Sequence, residues 1–227
     1  MSEEQSPAGR APEVTHSHPL ARAEVDRVGH LGFVAHELRN PLSTALWSAE
    51  LMTRLRPEER AGERGLKLAG LGARALGRLQ GLVEDHLLCE RLDAGGFPLR
   101  VGQVALAPVV AAVLERLRLD PGPELTLAPD LAVRADRALL ERAVEGLVAV
   151  AGRDGAPVRL SAGLVGGKVQ ISVRGAPVEP LTDPVKGSPS DPTGRALALP
   201  LARRVAELLG GSLEAEGRVY LLVFPAT

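Results

Sequence analysis

The sequence predicts an α+β protein: a long antiparallel helical hairpin followed by an α/β sandwich. Three observations carry this. Val25, Val28, Gly32, Ala35, Leu38, Leu42, Ala45, Ala49 and Met52 recur at spacings of three and four, the signature of a helix with one buried seam. A second seam of the same period, Leu68, Leu71, Ala75, Leu79, Leu82, His86 and Cys89, follows after a short break. From Phe97 onward the pattern changes to short β-type runs alternating with helical ones.

The bulk numbers bound the function. The chain has 227 residues, 45% of them hydrophobic, enough for one large domain or two small ones. Lys+Arg at 27 nearly balance Asp+Glu at 28, and aromatics are only 2%, which argues against nucleic acid and anionic membrane as partners. Cys89 is the only cysteine, so there is no disulfide framework and no thiolate metal cluster. No apolar run approaches the length of a membrane span, and the N-terminus does not read as a signal peptide. These features predict a soluble, cytoplasmic protein.

Taken in order, residues 1–19 are polar and proline-containing and read as a disordered tail; His16 and His18 lack a third ligand nearby. The first helix is predicted over Leu20–Arg56, with His36 and Asn40 off its seam and on one shared face, and Glu37 beside them outside the core. Pro41 cannot donate to the carbonyl of Glu37, which predicts a kink or loosening one turn after His36. His30 reads as a solvated helix residue. The second helix starts at Pro57, whose fixed φ suits a first turn, runs to Asp93 and stops at Ala94-Gly95-Gly96. His86, on the buried seam, reads as a satisfied core or interface histidine. A lone hairpin cannot bury both sides of its seam, so two copies should form a dimeric four-helix bundle.

In residues 96–227, Pro98–Val101, Glu124–Ala128 and Leu131–Arg134 are predicted strands and Ala107–Leu119 a helix. Asp136 is placed to cap a helix from Arg137 to Ala151. Val158–Leu164 and Lys168–Arg174 read as a hairpin, residues 175–193 as a proline-rich loop, Ala196–Leu209 as a helix closed by Gly210-Gly211, and Ser212–Ala215 with Arg218–Phe224 as a last hairpin.

The stretch His36-Glu37-Leu38-Arg39-Asn40-Pro41-Leu42 resembles the phosphoacceptor motif of two-component sensor histidine kinases. Asp85–Phe97 resembles the end of that family's helical hairpin, and the later segments follow the order of its ATP-binding domain. The resemblance implies that His36 carries a phosphoryl group, that Glu37 orients or deprotonates the imidazole, and that Asn40 helps place a water for hydrolysis of a partner's aspartyl phosphate. It also exposes departures. Gly146 and Val150 stand where the family has two asparagines for Mg²⁺ and nucleotide. The strand exit Val173-Arg174-Gly175-Ala176-Pro177 offers no carboxylate for the adenine before Glu179. Gly194-Arg195-Ala196-Leu197-Ala198-Leu199-Pro200 has alanines for two glycines of the phosphate loop, with Arg195 left as a lone cation. The α/β domain thus reads as a degenerate ATP-binding domain that does not use ATP.

The function implied is a histidine phosphotransfer protein, closest in type to stand-alone phosphotransferases derived from kinases. His36 relays phosphoryl groups between receiver-domain aspartates in a phosphorelay. The protein has no cofactor of its own, the receiver supplying Mg²⁺. Its partners are response-regulator receiver domains, a second copy of the chain and a sensor kinase. Two other readings stand beside it: a histidine kinase with an eroded but active ATP site, and a non-catalytic dimeric regulator that binds kinases or receivers.

Overall fold

The computed structural model describes residues 19–178, 181 and 197–226, with side chains from Gly32 onward. The expected tail with His16 and His18, the side chains of Val25, Val28 and His30, Glu179, and Gly194, Arg195 and Ala196 lie outside the described residues.

Helix α1 spans Pro19–Arg54 and continues unbroken through Pro41, which is buried. After a short α2, Pro57–Ala61, the chain turns at Gly62 into α3, Glu63–Asp93. The predicted second helix is therefore split. Gly62 adopts extended backbone, φ −89° and ψ −173°, which interrupts the helix between α2 and α3. Gly95 and Gly96, at φ 72° and 69°, end α3 by adopting the left-handed region that side-chain-bearing residues avoid.

Helices α1 and α3 lie antiparallel. Gly72 abuts Ser48 so closely that an added Cβ would sit 2.7 Å from the hydroxyl oxygen. The buried arc of α1 differs from the expected seam. Val34, Glu37, Pro41, Ala45 and Ser48 are buried, whereas Gly32, Ala35, Leu42 and Ala49 are exposed. The physical reason is that α1 has a single neighbouring helix of the hairpin to cover it, so only one side of a broad apolar arc is buried. The side left open continues on α3, where Leu66, Leu76 and Leu87 are exposed.

The remainder is a two-layer domain. A five-stranded sheet has the order β2 (Glu124–Leu127), β4 (Arg159–Val165), β5 (Lys168–Arg174), β7 (Val219–Pro225), β6 (Ser212–Glu216). β2 runs parallel to β4, and the other pairs are antiparallel. Alternate residues Val169, Ile171, Val173, Tyr220, Leu222 and Phe224 point into one core. They meet the apolar faces of α4 (Leu106–Leu117), α5 (Arg137–Ala151) and α6 (Ala198–Leu208). A separate pair, β1 (Val101–Ala105) and β3 (Ala132–Asp136), is antiparallel. β1 thus begins where the expected strand Pro98–Val101 ends. Its register is set by pairing Val101 with Asp136, a long-range choice that local residue preference does not encode.

Asp136 behaves as its position before α5 suggests. Its carboxylate accepts from the backbone N–H groups of Ala138 at 3.0 Å and Leu139 at 3.3 Å, and also from Arg100 at 2.9 Å. One buried carboxylate therefore satisfies the helix start and fastens the segment leading into β1.

Among the described residues, several contacts fasten the domain to the hairpin, and Cys89 of α3 is buried in the domain's own core. Arg142 of α5 donates to Asp85 of α3 at 2.8 Å. Arg204 of α6 makes a two-pronged contact to Asp93 at 2.7 and 2.9 Å. Between them Leu197, fully buried, packs with Val34 and Leu82, with Phe33 and Leu38 against the same cluster.

Replacing Asp136 with alanine should cost about 2 kcal/mol, because three N–H groups lose their acceptor at once. A lowered urea midpoint with unchanged slope is the expected result, and an unchanged midpoint would contradict the assignment.

Candidate functional site

The packing of α1 decides which side chains of the stretch His36–Leu42 can react. Relative to the arc that faces α3, His36 is turned away and its side chain is 56% exposed. Asn40 follows one turn later, and Ser43 and Trp47 continue the same exposed face at spacings of three and four. Trp47 is the chain's only tryptophan and is 54% exposed.

Glu37 departs from the expectation that it lies outside the core. It is 2% exposed, on the arc that meets α3. Its Oε1 nevertheless lies 3.5 Å from His36 Nδ1. The pair is thus a buried carboxylate beside an exposed imidazole. With the proton on Nδ1, the ring donates weakly to Glu37, and Nε2 keeps its lone pair. The structure brings His36 and Glu37 into contact and puts Asn40 on the face of His36.

Among the described residues, the α/β domain packs against the hairpin beside His36. Leu197 is buried against Val34, two residues before His36, so the start of α6 covers the hairpin beside the imidazole. Arg142–Asp85 and Arg204–Asp93 complete that contact. Sequence reasoning missed all of them. One signal was present: Asp85 lies three residues after Leu82 and four before Cys89, so it falls on the buried seam of α3 and needs a cationic partner. Burial pushes the Asp85 carboxyl up, with Arg142 opposing that shift.

Among the described residues, three positions at which the resemblance implies Mg²⁺ and nucleotide, Gly146, Val150 and Gly175, do not fit those groups. Gly146 has no side chain, and a Cβ there would lie 3.2 Å from the Cβ of Ala198, so α5 and α6 close on each other at this point. Val150 is buried and offers no oxygen. Glu145, beside Gly146, is engaged by Arg116 at 3.2 Å. Gly175 leaves no room for a carboxylate: its Cβ would stand 2.2 Å from the carbonyl oxygen of Ala151. The first residues of the expected loop are stitched down instead. Ala176 N–H donates to Ala151 at 2.7 Å and Val178 N–H to Gly217 at 3.2 Å, while Arg218 and Arg153 donate to the carbonyls of Gly175 and Pro177.

The remaining candidate chemistry is limited. Burial pushes the Cys89 thiol up to about 12, so it is not a nucleophile at neutral pH. His86 is half-buried on the α3 seam. Among the described residues, no group of three or more His, Cys, Asp and Glu could hold a metal ion, and no helix is long and apolar enough to cross a membrane.

Residues 26–95 match the family model of the His Kinase A phosphoacceptor domain. The sensor protein DivL of Caulobacter vibrioides is 30% identical over 218 residues, covering 88% of this chain. The chain spans 28% of that relative's length. Histidine kinase AdeS of Acinetobacter baumannii shares the fold with a TM-score of 0.63 at 20% identity, over 85% of this chain and 98% of that one. Histidine kinase ThkA, solved in complex with the response regulator TrrA, gives 0.60 at 20% identity, over 91% of this chain and 64% of that one. ShkA, solved in complex with AMPPNP, gives 0.53 at 23% identity, over 86% of this chain and 44% of that one. With a phosphoacceptor hairpin, a sheet domain of the histidine kinase catalytic fold and a sensor-protein relative, the chain belongs to the two-component sensor histidine kinase family.

Proposed function

We propose that the protein is a histidine phosphotransfer protein of a two-component phosphorelay, and that it moves phosphoryl groups between receiver-domain aspartates through His36 without ATP of its own. One observation carries the reading. An exposed imidazole lies beside a buried carboxylate, while Gly146 and Val150 offer no side-chain oxygen and a Cβ at Gly146 or Gly175 would meet neighbouring atoms, which supports the reading.

The step follows from the site. A receiver presents an aspartyl phosphate to the exposed face of α1. The Nε2 lone pair of His36 attacks phosphorus, an N–P bond forms, and the O–P bond to the aspartate breaks, releasing a carboxylate. The ring becomes cationic, and Nδ1–H is held by Glu37, whose negative charge opposes the positive charge that develops. Transfer to a second receiver is the reverse reaction. Most of the acceleration comes from in-line placement and charge neutralisation, the latter through Mg²⁺ carried by the receiver. Asn40, one turn away on the same face, is placed to position a water when hydrolysis replaces transfer. The solved pairing of ThkA with a response regulator supports a receiver as the partner class.

Leu42, Leu46, Leu66, Leu76 and Leu87 leave a large apolar surface on the hairpin, between 45% and 70% exposed. A second copy of the chain covers it best, completing a four-helix bundle. The likeness to ShkA, solved with AMPPNP, favours a second reading as an ATP-dependent histidine kinase.

Two measurements check the first reading. Mixing the chain with a phosphorylated receiver should transfer acid-labile label to it. His36→Ala should abolish the label, and Glu37→Gln should slow transfer by about a hundredfold. Label that persists in His36→Ala, or none from any receiver tested, contradicts the reading. In solution the mass should be near twice 23.8 kDa by light scattering, and a monomer would rule out the bundle.

A further inference from the structure

At the end of the α/β domain away from Gly175 lies a pocket of about 550 Å³ that neither the phosphotransfer reading nor the dimer uses. β5 is seven residues long, Lys168–Arg174, which sets its ends about 20 Å apart. Gly175 follows one end. Pro225, which lines the pocket, pairs with Lys168 at the other. The lining includes none of Gly146, Val150 and Gly175.

Three parts of the fold build the lining. In the β1–β3 ribbon Gln103 stands opposite Arg134. Side chains alternate across such a ribbon, so burying Val133 and Ala135 in the core turns Arg134 outward, and Val101 shares that outer side with Gln103. Leu208 and Leu209, where α6 ends, and Pro225, where β7 ends, add apolar surface. Leu208 and Val101 are 40% and 42% exposed, so two large apolar side chains of one concave site face water. A ligand that covers them gains by removing that surface from solvent. The charge of the site has one sign. No acidic residue lines it, and Arg134 has no carboxylate partner among the described residues.

We infer that this pocket binds an apolar monocarboxylate of medium chain length, its carboxylate on Arg134 and its chain against Val101, Leu208, Leu209 and Pro225. The chemistry selects this class. A guanidinium presents paired N–H donors that match the two oxygens of a carboxylate. One cation balances one negative charge, whereas a phosphate monoester carries nearly two and leaves part of its charge unmet. The volume falls within the roughly 300–1,000 Å³ of small-molecule sites.

The test uses the full chain, labelled with ¹⁵N and titrated with sodium octanoate below its micelle concentration. Saturable shifts centred on the amides of Gln103, Arg134, Leu208 and Leu209 are expected. Arg134 and Leu208 are both exposed. Arg134→Glu and Leu208→Glu should each weaken binding at least about tenfold. Octan-1-ol keeps the chain without the charge and acetate keeps the charge without the chain, and each should bind at least about tenfold more weakly than octanoate. His36→Ala should bind like the parent, so this result is independent of phosphotransfer. The inference is overturned if the shifts fail to saturate or centre elsewhere, if octan-1-ol binds as tightly as octanoate, or if Arg134→Glu binds as tightly as the parent.

Discussion

The packing of α1 against α3 is the constraint on which the site depends. A helix turns by about 100° per residue, so burying Glu37 forces His36 outward. The structure shows this division: Glu37 is 2% exposed and the His36 side chain 56%. A carboxylate on a packed surface loses rotamer freedom and water, and it keeps a fixed position against Nδ1. An imidazole on the open face keeps access to a partner. Neither property comes from the residue types alone. Both come from which side of α1 the second helix occupies.

The α/β domain keeps the core of its fold, and the proposed function reads its nucleotide positions as changed. The inward-facing residues of β4, β5 and β7 alternate as a sheet packed on one face requires, and α5 and α6 present their apolar sides to it. At the nucleotide positions the same helices close on each other. Ala198 approaches Gly146, and the carbonyl of Ala151 approaches Gly175 and accepts from Ala176. The beginning of the following segment is bound to the β6–β7 turn by backbone hydrogen bonds and by Arg218. Leu197 packs against Val34 and Leu82.

Much of this was legible in the sequence, and the parts that were not share a cause. Element order, the cap at Asp136 and the exposure of His36 and Asn40 follow from local patterns of three and four residues or of two. The burial of Glu37 did not, because the apolar arc of α1 is broad and the sequence alone cannot say which edge the partner helix takes. The break at Gly62 was obscured by good helix formers on both sides. The start of β1 depends on pairing with β3, and the clasps join residues 57 and 111 positions apart.

The central claim is that His36 takes its phosphoryl group from outside the chain. Incubation of the full chain with γ-labelled ATP and Mg²⁺ tests it most directly. The account predicts no label on the protein under conditions in which a phosphorylated receiver labels it. Strong labelling from ATP that disappears in His36→Ala would contradict it and establish the chain as a kinase with a working nucleotide site.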